Sequence, residues 1–136
     1  MKLLLISLLV PFAFAGTPRT PAPKDAKVYF INLKNGAKVK SPVTIQFGLK
    51  GMGIAPAGMQ KDNTGHHHLL IDTKLANYDV SIPSDDQRKH FGAGQTEVSL
   101  SLAPGKHTLQ LVLADQNHIP HQPPVQSKVI TIYVKK

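Results

Sequence analysis

The sequence predicts an all-β protein, an immunoglobulin-like antiparallel β-sandwich of short strands with long loops. Three observations carry that expectation. Apolar residues recur at every second position in Val43, Ile45, Phe47 and Leu49, then in Val98, Leu100 and Leu102, and again in Leu109, Leu111 and Leu113. A period of two is the mark of a half-buried strand. Gly and Pro punctuate the chain between such runs, as at Asn35-Gly36 and Pro104-Gly105, where turns are expected. After the first 15 residues, no stretch combines a helical period with caps.

The N-terminus reads as a targeting segment. Lys2 supplies positive charge, Leu3 to Phe14 is an apolar run, and Ala13-Phe14-Ala15 has the small-x-small pattern of a cleavage site. That order defines a secretory signal peptide over residues 1–15. The run is shorter than the ~20 apolar residues a transmembrane helix needs, so no stable membrane insertion is expected after cleavage. The expected location is periplasmic or secreted. Residues 16–25 (GTPRTPAPKD) are Pro-rich and polar and read as an extended tether. A single β-domain is expected over residues 26–136.

Within the domain, Val28–Leu33 is an apolar strand ending at Asn35-Gly36, and Val43–Leu49 alternates. His66–Asp72 is a third strand. Glu97–Leu102 and His107–Leu113 flank Pro104-Gly105 and read as a β-hairpin. Ile130, Ile132 and Val134 close the domain. Two segments, Gly51–Gly65 and Asn77–Gly94, read as long loops, which in compact domains tend to be functional.

Composition narrows the function. The formal net charge is +8, but only Arg19 and Arg88 among the 16 positive residues are arginine. Nucleic-acid sites need clustered Arg and Lys near aromatics, and no such cluster is present. There is no cysteine, so any metal must be held by His, Met or carboxylate. Asp85-Asp86 reads as a solvated turn, and no nucleophile-elbow context is present; the chain is not expected to be an enzyme.

All seven histidines fall between positions 66 and 121. Neutral imidazole is the commonest protein metal ligand. On a strand, residues i and i+2 share a face, so His66 and His68 project together while His67 turns away with Leu69 and Ile71 toward the core. His66 and His68 are therefore the first candidate ligands. His90, beside Phe91, and His118, on a Pro-rich connection, come next. Met52 and Met59, in the glycine-rich loop before the His run, could add thioether sulfur for Cu(I). His67 and His107 read equally well as core hydrogen-bonding residues, and His121 has the weakest claim as a ligand. Copper is the expected metal, with zinc as second choice. Only neutral imidazole binds metal, so affinity is expected to fall as pH drops through about 6.5.

The chain also resembles a bacterial exported family, the domain of unknown function 4399. The resembling stretches are FGLKGMGIAPAG at residues 47–58, NTGHHHLLID at 63–72, HFGAGQTEVSLSLAPGKHTLQLVLAD at 90–115 and NHIPHQPPVQS at 117–127. The resemblance implies a periplasmic β-domain and brings no assigned activity. A fainter similarity, to copper–zinc superoxide dismutases, lies in His66, His68 and His90-Phe91; the disulfide and bridging-histidine loop of those enzymes are missing. The resulting expectation is a periplasmic copper accessory, storage or delivery protein, with a metal ion or small ligand and another envelope protein as partners. The alternatives are a metal-free binding or assembly module for a protein, glycan or small anion, and, less favoured, a dismutase-like enzyme.

Overall fold

The computed structural model describes residues 18–136; the expected signal peptide lies outside the described residues. Among these residues the chain forms nine strands and no helix: β1 (Lys27–Phe30), β2 (Ala37–Val39), β3 (Val43–Lys50), β4 (Gly53–Ile54), β5 (Thr64–Ile71), β6 (Arg88–His90), β7 (Glu97–Leu100), β8 (Gly105–Ala114) and β9 (Ile130–Val134). One sheet has the order β1-β3-β7. The other runs β2-β9-β8-β5-β4, with β6 also paired to β5.

The all-β, two-sheet architecture expected from the alternating runs is therefore present. Its core lies between the sheets. Val28, Val43, Ile45 and Phe47 from the first sheet pack with Leu69, Leu109, Leu111, Leu113, Ile132 and Val134 from the second. Each such side chain, fully buried, stabilises the fold by about 1.5–3 kcal/mol.

The strand pairing differs from the expectation in three respects. First, the sheets are not purely antiparallel: β2 runs parallel to β9, and β4 parallel to β5. The division into three and six strands also differs from the four and three of an immunoglobulin constant domain. Second, β7 and β8 do not form a hairpin. β7 pairs with β3, whereas β8 pairs with β5 and β9. Alternation reports which face of a strand is buried, and both partners of a sandwich satisfy it equally; it does not choose the neighbour. Gly105, at φ +126°, lets the chain cross from one sheet to the other in a conformation closed to other residues. Third, the two long loops each contain a short strand, β4 and β6, and both strands attach to β5.

The central strand β5 is covered on both sides. Leu69 and Ile71 face the main core. Leu70 faces the other way, into a second apolar cluster with Ile82, Val112 and Ala114. Ile82 comes from the long segment before β6, which folds over the outer face of the sheet. His66 and His68 share parity with Leu70, so they lie under the same cover. At the N-terminal end, the segment expected as a tether is not free of the domain: Thr20 and Ala22 exchange backbone hydrogen bonds with Gln122.

Candidate metal centre

His66, His68, His90 and His118 each bring a ring nitrogen to within 4.8 Å of the others. Three separate pieces of chain place them. β5 supplies His66 and His68 by strand parity. β6 supplies His90 directly opposite His68 in the antiparallel ladder. The turn after β8 supplies His118, because His66 sits opposite Ala114 near the end of that strand. These are four of the six candidate ligands expected from the sequence, the others being Met52 and Met59.

The rings meet nitrogen to nitrogen. His66 Nε2 lies 3.1 Å from His118 Nδ1 and 3.0 Å from His68 Nε2. The His90 ring closes the fourth side, with its centroid 5.0 Å from that of His66 and 4.6 Å from that of His118. Metal–nitrogen bonds of about 2.0–2.1 Å put adjacent nitrogens about 3.3–3.4 Å apart in a tetrahedral set and about 2.9 Å apart in a planar one. These two separations fall between those limits, and the four ligand nitrogens together lie within 4.8 Å, so the cluster could hold a metal ion.

Burial keeps the His66 and His68 rings of the cluster neutral. Burial, and then the charges that His90 and His118 would carry, push His66 from 6.5 down to about 4. Burial and the neighbouring imidazoles push His68 to about 2. Burial, with His118 beside it, also lowers His90. Neutral rings keep a lone pair available for a metal. Hydrogen bonding alone satisfies the cluster poorly: Nδ1 of His66, Nδ1 of His68 and Nε2 of His90 are buried without a protein partner. A neutral imidazole has one donor and one acceptor. The single lone pair of an unprotonated His66 Nε2 can accept from only one of its two neighbours.

Two glycines make the packing feasible. A Cβ at Gly92 would lie 2.5 Å from His90 Nε2, so the His90 ring occupies space only a glycine leaves. A Cβ at Gly65 would lie 2.6 Å from the Ala114 carbonyl oxygen and 2.9 Å from His121 Cε1. Gly65 thus allows β5 to approach β8 just before the paired histidines.

The two predicted methionines differ in exposure. Met52 is half-buried and packs against the main core, and Met59 is 55% exposed. Met59 does follow Gly58, whose N–H donates to Gln116 O, while Ala57 N–H donates to Gly92 O. This loop therefore bridges the turns that carry His90 and His118. His67 points into the main core against Phe47, ring centroids 5.1 Å apart, with neither ring nitrogen hydrogen-bonded. His107 pairs with Asp72 at 2.7 Å and with Ala103 O at 2.8 Å. His121 is fully buried and bonds Thr64 O at 3.1 Å. None of these three belongs to the four-ring cluster. Sequence reasoning missed the role of Asp115, whose carboxylate organises the His118 turn; the segment Asp115-Gln116-Asn117 carried a turn signal but nothing that singled out one side chain.

The fold and the four-imidazole cluster define an all-β domain with a candidate metal centre. The profile of the domain of unknown function DUF4399 matches residues 45–135, a span that contains all four histidines, and the chain belongs to that family. No curated protein and no solved structure matches the chain.

Proposed function

We propose that this protein is a copper-binding accessory protein of the bacterial envelope, storing or delivering the metal through His66, His68, His90 and His118. The observation that carries the reading is the convergence of four ring nitrogens within 4.8 Å. The donor set supports copper. Four imidazoles without cysteine suit Cu(II), and nitrogen sites generally bind Cu(II) more tightly than Zn(II). Zinc, which takes imidazole readily in tetrahedral sites, is the second cation. Met59, on the loop that bridges the two histidine turns, is the thioether best placed to meet Cu(I) at the rim. The N-terminal sequence supports an address outside the cytoplasm.

Elemental analysis of protein isolated from the cell envelope without chelators tests the reading. One copper per chain is the expected result. One zinc per chain would replace the metal and keep the site. Absence of both, with no uptake on reconstitution, would return the protein to the class of metal-free binding modules.

A further inference from the structure

The turn that carries His118 is held from outside the site. His118 has φ +64°, a left-handed conformation uncommon for residues with a side chain. Asp115 builds the turn. Its Oδ1 accepts from the backbone N–H of Asn117 at 2.9 Å and of Ile119 at 3.0 Å. Its carbonyl accepts from His118 N–H at 2.9 Å. The second carboxylate oxygen is left for Thr20, whose hydroxyl donates to it at 2.6 Å.

Thr20 belongs to a segment that runs beside the turn. Gln122 N–H donates to Thr20 O at 2.9 Å, and Ala22 N–H to Gln122 O at 3.0 Å. Arg19 Nε donates to Pro120 O at 3.0 Å, and the other arm of its guanidinium donates to His121 O. The same guanidinium lies 3.8 Å from Asp79 and 5.6 Å from the centre of the Tyr78 ring. The Arg19 side chain is only 13% exposed, so this is a seated contact and not a passing one.

We propose that Arg19–Ala22 is a strap that positions His118 as the fourth metal ligand, with Arg19 and Thr20 as positioning residues acting through Asp115 and the carbonyls of Pro120 and His121. The proposal rests on the metal-binding reading. Residues 66, 68 and 90 are fixed by the sheet; His118 alone depends on a turn in a disfavoured backbone conformation. Removing the strap takes the hydroxyl from Asp115 and the guanidinium from two carbonyls. The turn then relaxes and His118 leaves the other three rings.

The test compares wild-type protein, the double variant Arg19→Ala/Thr20→Val and the single variant Thr20→Ser. Each is titrated with Cu(II), and the number of coordinated nitrogens is read by electron paramagnetic resonance. Wild type should show four nitrogens. The double variant should show three and bind about 10–100-fold more weakly, the usual effect of losing support behind a ligand. Thr20→Ser, which keeps the hydroxyl, should match wild type. A general loss of stability would not remove one nitrogen and leave three. A double variant with four nitrogens and unchanged affinity overturns the strap while leaving the metal reading intact. Wild-type protein that takes up neither copper nor zinc overturns the metal reading, and the strap's positioning role with it.

Discussion

His68 and His90 face each other across the β5–β6 ladder as direct Cα partners, with ring centroids 5.1 Å apart. A buried central strand and a three-residue edge strand thus share the face that carries the candidate metal centre. The weaker of the two elements is β6, and the space for its ring depends on Gly92. Gly92→Ala should push the His90 ring away and weaken metal binding by about tenfold, ~1.4 kcal/mol. The melting temperature of the metal-free protein should change little. Competition titration beside thermal unfolding checks both halves of the statement.

His121→Ala should do the reverse. His121 is fully buried and bonds Thr64 O, yet it is not among the four clustered rings. Its loss removes the donor to the part-buried Thr64 carbonyl and leaves the space of a buried ring unfilled, at a cost of about 1–3 kcal/mol. Chemical denaturation should show the destabilisation, while the bound metal keeps four nitrogens.

His67→Leu should raise stability. His67 is buried with both ring nitrogens unpartnered, and burial alone pushes it from 6.5 to about 4. Replacing an unsatisfied buried polar ring with an apolar side chain of similar size removes a desolvation penalty of about 1–3 kcal/mol. Metal affinity should be unchanged, since His67 faces the opposite side of β5. A lower melting temperature would show that the ring nitrogens do find partners.

The pH dependence has a definite sign. His66 and His67 lie at about 4 in the folded protein and His68 at about 2, against 6.5 for a free imidazole. Above 6.5 these rings are neutral in both states, and their stabilising contribution is complete. As pH falls below 6.5, the unfolded chain takes up protons that the folded chain refuses, so stability falls progressively through about 4. His107 acts oppositely: its hydrogen bond to Asp72 raises it, so its contribution is present below 6.5 and is lost as pH rises through the raised value. Metal affinity should also persist below pH 6.5, because His66 and His68 resist protonation. This moves the expected loss of binding downward from the pH of a free imidazole. Denaturation of metal-free protein and copper competition, each from pH 7.5 to 4, measure the two effects.

Strand parity made His66 and His68 legible, because i and i+2 on a strand share a face whatever the sheet order. The alternating runs likewise identified β3, β7 and β8 as half-buried strands. They could not reveal that β7 leaves β8 for the other sheet, because burial of one face is the same in a hairpin and in a sandwich corner. β6 carries only Arg88, Lys89 and His90, too few residues to show a period, so His90 was assignable only to a loop. The strap was hidden by composition. A Pro-rich polar segment reads as a tether, and nothing in Arg19 or Thr20 announces the carboxylate and carbonyls they meet about a hundred residues later.

Competition titration of metal-free protein with Cu(II), run beside His66→Ala/His68→Ala, tests the central claim most directly. The four-histidine centre predicts one equivalent of copper bound well below ~10 μM, a dissociation constant that corresponds to about −7 kcal/mol, and loss of that binding in the double variant. Binding no tighter than ~10 μM, or tight binding that survives the loss of both histidines, would contradict it.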